Sequence, residues 1–83
     1  MSLLKIDVEG AELMVLKGGR RLINAQRPAI AMEITQNRED ILELLMDLGY
    51  RPFDDAMRPV QDFEVPRINW LFLHSIEHAE FFP

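Results

Sequence analysis

The chain has 83 residues, 9 basic against 14 acidic side chains for a net charge of −5, and 48% hydrophobic residues. A chain this short buries only about 60–65% of its extended surface, so it suits one small domain with a thin core and excludes a cleft walled by two lobes. The absence of cysteine excludes a disulfide framework, a thiolate nucleophile and a Cys-ligated zinc site, and the acidic balance leaves no footprint for nucleic acid or an anionic membrane.

Leu3-Leu4-Lys5-Ile6-Asp7-Val8 is a short apolar run with β-branched residues, closed by Gly10, and it predicts a strand buried on both faces, as in a parallel sheet. Met1-Ser2-Leu3 enters this strand with no lead-in, so a chain cut from a longer reading frame is expected. From 11 to 25, Leu13, Leu16 and Ile23 recur at helical spacing with Val15 and Leu22 widening the stripe, and Gly18-Gly19 interrupts it. Each glycine costs about 1 kcal/mol against alanine, so a bend or a close helix-to-sheet contact is expected there. Arg20 and Arg21 would complement the dipole near the helix end. Pro28 predicts an extended Arg27 and a helix that stops by about Gln26.

Ala29-Ile30-Ala31-Met32-Glu33-Ile34 predicts a second strand buried on both faces, with Ala29 and Ala31 small enough to let a helix lie close. Thr35, Gln36 and Asn37 are candidate N-caps, with Asp40 three residues beyond Asn37. Ile41, Leu44, Leu45 and Leu48 then follow the i, i+3, i+4, i+7 pattern, and Gly49 stands where such a helix ends. A third strand is expected from Tyr50 to Asp54, a polar connection from Asp55 to Pro66, and a fourth strand from Ile68 to His74. The order strand-helix-strand-helix-strand-strand describes an α/β fold. Two strand-helix units in tandem demand parallel strands, and the last strand, reached without a helix, is expected to be antiparallel. This combination is the tail of a doubly wound sheet. The chain contains no G-x-G-x-x-G and no G-x-x-x-x-G-K, hence no nucleotide-cradling loop of those kinds.

Ligands of open parallel sheets sit at the carboxyl ends of strands, where this chain has Asp7 and Glu9 after the first strand and Glu33 at the end of the second. Neighbouring strands lie about 4.8 Å apart, close enough for such carboxylates to share a cation or a substrate hydroxyl. Glu9 and Glu12 also have a purely structural explanation, because acidic residues suit a helix N-terminus, and for Glu12 that explanation is preferred. Asp7 and Glu33 are charges in otherwise apolar strands, and the cost of burying an unpaired carboxylate points to function. His74-Ser75-Ile76-Glu77-His78 spells H-x-x-E-H, but this zinc signature needs a helix and a third ligand, so it reads as a chance match. The Phe81-Phe82-Pro83 tail is expected to fray rather than dock.

Lys5-Ile6-Asp7-Val8-Glu9-Gly10-Ala11-Glu12, then Val15-Leu16-Lys17-Gly18, Pro28 ahead of a strand ending in Glu33, Leu48-Gly49-Tyr50 and Asn69-Trp70-Leu71-Phe72 together resemble the carboxyl-terminal half of the FkbM family of S-adenosylmethionine-dependent methyltransferases. The resemblance implies that residues 1–83 form one unit, the later part of a class I methyltransferase domain from its fourth strand onward. It implies methyl transfer to oxygen of a small-molecule acceptor, a sugar or natural product, with S-adenosylmethionine as cofactor. It also implies that Asp7 lies against the cofactor methyl group and positions the acceptor hydroxyl, with Glu33 as base or metal ligand. Two carboxylates do not tell whether a divalent metal takes part. Because the cofactor-binding half is not among these residues, the resemblance implies no activity for this chain alone. A non-catalytic association module built on the same half-fold is the alternative.

No run approaches the roughly 20 apolar residues that cross a bilayer, and no targeting segment is present, which makes the cytoplasm the expected compartment. An unpaired edge at residues 3–8 would recruit another strand, and a two-fold homodimer through that edge is the simplest closed arrangement.

Overall fold

The computed structural model describes residues 3–7, 10–54, 56–61 and 69–82. Four strands form one sheet in the order β1-β2-β4-β3, with β1 at Leu3–Ile6, β2 at Ala29–Glu33, β3 at Tyr50–Phe53 and β4 at Asn69–His74. β1 and β2 are parallel; β4 lies between β2 and β3 and runs antiparallel to both. Three helices connect the strands, α1 at Glu12–Gly18, α2 at Arg20–Gln26 and α3 at Arg38–Asp47, and a 3₁₀ turn at Ala79–Phe81 follows β4. Val8, the last residue of the expected first strand, lies outside the described residues, as does Ile68.

The alternation of side chains along each strand sorts the sheet into two unlike faces. Ile6, Ile30, Met32, Trp70, Phe72 and Tyr50 join Leu16 of α1, Ile23 of α2 and Ile41, Leu42 and Leu45 of α3 in the main core. On the other face Ala29, Phe53 and Leu73 form a small cluster capped by Leu71 and Phe82. The helices therefore pack on a single side of the sheet, and the described residues form two layers rather than the three of a doubly wound sheet. Ala29 and Ala31 lie on the side away from the helices, so their small size does not serve a helix contact.

The first strand departs from the two-face burial expected of it. Leu3 is 65% and Leu4 36% exposed, whereas Ile6 is 4% exposed. Among the described residues β1 pairs only with β2 and so forms an edge, and Leu3 borders that edge.

The expected long helix is two. Gly19 N–H still donates to the Val15 carbonyl at 2.9 Å and Gly19 C=O accepts from Ile23 N–H at 2.9 Å, but Gly19 itself leaves the helical region at φ −98°, ψ 9°. The glycine pair is thus offset by a bend. Arg20 and Arg21 consequently open α2 instead of closing the longer helix, and cannot complement its C-terminal dipole. Val15 and Leu22, at 41% and 62% exposure, point outward rather than widening the stripe. Arg27 adopts a left-handed conformation, φ 49°, ψ 53°, with its N–H bonded to the Ile23 carbonyl. Closing the helix end in this way overrides the extended bias that Pro28 imposes.

α3 begins at Arg38. Asn37 precedes it in a left-handed conformation, φ 58°, and makes no side-chain cap, so the expected capping geometry is not formed. The buried stripe consists of Ile41, Leu42 and Leu45, with Leu44 and Leu48 on its flanks. Gly49, at φ +93°, ends the element, and a Cβ there would lie 2.8 Å from Nε2 of His74. Only glycine satisfies both the backbone angle and the imidazole.

The tail docks rather than frays. The rings of Phe53 and Phe82 meet edge to face with centroids 5.1 Å apart, closing the small cluster on the sheet's second face. Pro83 lies outside the described residues.

Two outcomes test this packing. Leu45 is fully buried, so Leu45→Ala should cost about 2–5 kcal/mol, read as a lower denaturant midpoint, and an unchanged midpoint would place the stripe on the wrong side of α3. Gly49→Ala should cost at least about 1–2 kcal/mol through the left-handed backbone alone, with the imidazole contact adding to it.

Candidate active site at the ends of the parallel strands

Lys5 and Asp7 share the side of β1 away from the helices, because they are two residues apart. Lys5 is in register with Ala31 and Ile6 with Met32, so Asp7, one residue beyond, comes level with Glu33. Glu33 is in turn the register partner of Asn69, the first residue of β4. Three polar side chains from three strands thus form a row at one end of the sheet. They line a cleft of about 160 Å³ together with Lys5, Ala31 and the edges of Ile6, Met32 and Trp70. Ala31 keeps its middle open, because a larger residue on that face would fill it.

Asp7 and Glu33 are both exposed. The expectation that they were charges forced into an apolar interior therefore does not hold, and their candidacy rests on position: carboxylates one strand apart at the carboxyl ends of β1 and β2. Glu9 lies outside the described residues.

Glu12 has a structural part. It opens α1, is 2% exposed, and both carboxylate oxygens accept from the Gly10 N–H, at 3.1 and 3.3 Å. This bond closes the turn that follows Asp7. Gly10 has φ +87°, and a Cβ on it would lie 3.0 Å from the Gln36 side-chain amide, so the turn after β1 meets the loop after β2. Gly10 is thereby needed for both the turn and the approach of the two loops beside the cleft.

Lys5 and Asn69 were not singled out from the sequence. Lys5 carried a signal, its spacing of two from Asp7, whereas Asn69 joins the site only because β4 is inserted next to β2. A larger groove of about 300 Å³ between the helices sets Lys17 and Arg20 against Asp40, Glu43 and Asp47. It touches no strand end, and its opposed charges compensate one another.

The H-x-x-E-H run forms no metal site. His78 Nδ1 accepts the His74 backbone N–H at 2.8 Å, and His74 Nδ1 accepts from the N–H of Ile76 at 3.1 Å and of Glu77 at 3.4 Å. Both residues are 4% exposed, and each Nδ1 is engaged by backbone N–H groups. Among the described residues no group of three or more His, Cys, Asp or Glu side chains is arranged to hold a metal ion, and no helix is long and apolar enough to cross a membrane.

Replacing Glu12 by alanine should cost about 1–3 kcal/mol, because the Gly10 N–H loses its acceptor in a sheltered turn. Amide exchange would show the loss first at Gly10. If Gly10 exchanges as in the parent protein, another group closes the turn.

A family model described as the methyltransferase FkbM domain matches residues 1–52, which include β1, the Gly10 turn, all three helices and β2. Comparisons with curated proteins and with solved structures gave no match. With well over half of its length matched to that family model, from the strand bearing Asp7 through the helix beyond Glu33, the chain belongs to the FkbM methyltransferase family.

Proposed function

We propose that this chain is the acceptor-side part of an S-adenosylmethionine-dependent methyltransferase, acting on a hydroxyl of a sugar or natural product. The observation that carries the reading is the row formed by Asp7, Glu33 and Asn69 at the cleft, on a chain of the FkbM family. In this reading β1 to β4 are the fourth to seventh strands of a doubly wound class I methyltransferase sheet. The order β1-β2-β4-β3 with β4 antiparallel supports that correspondence.

The residues fit one rim of the cofactor. Carboxylates suit a sulfonium's positive charge, but the chain has no G-x-G-x-x-G turn to cradle the nucleoside. The cofactor, when bound, supplies the methyl group; the steps assigned here belong to the chain's own residues. Asp7 accepts a hydrogen bond from the acceptor hydroxyl and orients its oxygen. Glu33, one strand away, receives the proton as the oxygen becomes nucleophilic. Alignment and proton removal are what methyl transfer demands of a protein. At about 160 Å³ the cleft is smaller than the roughly 300–1,000 Å³ of a complete ligand site, so it accommodates a single ring of the acceptor.

In a protein carrying the complete domain, Glu33→Gln should lower turnover about 10²–10⁴-fold with cofactor affinity retained. Asp7→Asn should lower turnover and weaken cofactor affinity. Wild-type turnover in both variants would end this reading. For residues 1–83 alone, dialysis against S-adenosylmethionine should show no tight binding, and tight binding would overturn the assignment of the chain to the acceptor side.

A second reading, an association module, rests on the β1 edge. Among the described residues β1 pairs only with β2, and beside its edge Leu3, Leu4, Leu22, Ile23, Gln26 and Pro28 line an apolar groove of about 160 Å³. We propose that a second copy of the chain adds there as a two-fold dimer. Sedimentation at micromolar concentration should give the dimer mass, and a monomer at all concentrations would remove this reading without touching the first.

A further inference from the structure

The far end of the sheet carries a device that methyl transfer does not use. His74 ends β4 almost fully buried. Its Nδ1 accepts two backbone N–H groups, those of Ile76 and Glu77, and the His78 Nδ1 accepts the N–H of His74 itself. A ring nitrogen that accepts from N–H carries no proton. The turn after β4 is therefore built around an unprotonated Nδ1 on His74. That turn leads through the His78 N–H bond to the His74 carbonyl, 2.9 Å, and the 3₁₀ turn at Ala79–Phe81 to Phe82. Phe82 is the lid on Phe53, Leu73 and Ala29.

We propose that His74 is an acid-sensitive latch: a proton at its Nδ1 sets donor against donor at Ile76 and Glu77, opens residues 75–82, and uncovers the apolar patch of Ala29, Phe53 and Leu73 on the sheet's second face.

The surroundings on balance hold the ring neutral. Burial lowers the His74 pKa from its ordinary value near 6.5. The Arg27 charge from the end of α2 adds to this, the Leu48 carbonyl at the end of α3 opposes it by accepting a hydrogen bond, the His78 ring adds to it, and Glu77 opposes it. Tyr50, edge-on to the ring at 5.2 Å, is itself pushed up to about 12, chiefly by burial, and stays uncharged throughout the range concerned. With the latched pKa below that of the open turn, the open form binds more protons. The latch is fully closed above about pH 6.5 and weakens as the pH falls from there toward the lowered pKa, the open fraction rising at most about tenfold per pH unit.

Amide hydrogen exchange on the full chain between pH 7.5 and 5, corrected for intrinsic rates, tests the latch. Ile76 and Glu77 should lose protection several-fold per unit below about pH 6.5, while Phe72 in β4 and Leu45 in α3 keep theirs. Protection at Ile76 and Glu77 that persists to pH 5 overturns the proposal, as does loss of protection at Phe72 and Leu45 in the same step, which is global unfolding. His74→Asn supplies a neutral acceptor near the Nδ1 position and should flatten the pH dependence; a dependence that survives overturns the assignment to His74. Should that variant not fold, the ¹⁵N shifts of the wild-type ring decide: protonation of Nδ1 in the pH range in which the two amides open supports the latch, and protonation with no change in those amides overturns it.

Discussion

The Tyr50 hydroxyl donates to the Pro28 carbonyl at 2.6 Å in the buried core, and the described fold is organised around that bond. Pro28 leads into β2 and Tyr50 opens β3, two strands separated in the sheet by β4. The bond crosses over the end of β4, where His74 meets the Tyr50 ring edge-on, and Gly49 lets the α3 terminus close down on the same imidazole. A left-handed Arg27 and a buried histidine are each individually costly, and the left-handed backbone at position 49 is open only to glycine. They coexist because one small volume satisfies their polar atoms together. Above this corner Arg27 and Glu77 approach to 3.7 Å at half-exposed positions, a pair too wet to contribute much.

The opposite end of the sheet has the contrary character. There β1 and β2 finish side by side, Asp7 and Glu33 remain in water, and the buried Glu12 accepts the Gly10 N–H beyond β1. Stability resides at the Tyr50 end and the proposed chemistry at the Asp7 end, separated by the length of the strands. In that proposal the division follows from the direction of β1 and β2: carboxyl ends of parallel strands are where open sheets take ligands, while their amino ends are free to be sealed.

A sheet covered by helices on one side only has a thin core. Among the described residues fifteen hydrophobic side chains are buried, most of them between the sheet and the helices, and the second face carries the cluster under Phe82. The exposed leucines at Leu3, Leu4 and Leu22 gather by the β1 edge instead of being scattered. Apolar surface concentrated beside an unpaired strand is surface prepared for another element, which connects the free edge with the three-layer architecture that the methyltransferase family reading supplies.

By itself the sequence determined the local elements. The apolar runs at Leu3 and Ala29 mark β1 and β2, the spacing around Leu45 marks α3, and Gly49 marks its end, because periodicity and glycine conformation depend only on near neighbours in the chain. The Asp7-to-Glu12 motif was legible for the same reason, and it carried the family. Tertiary structure alone decided which faces are covered: that Leu22 lies in water and Leu42 in the core, that Arg27 turns left-handed despite Pro28, and that Asp7 and Glu33 are exposed. It also decided the site's third polar member, since Asn69 reaches Glu33 only through the insertion of β4 between β2 and β3. That pairing depends on contacts 36 residues apart in the register of Glu33 with Asn69, which no local pattern encodes.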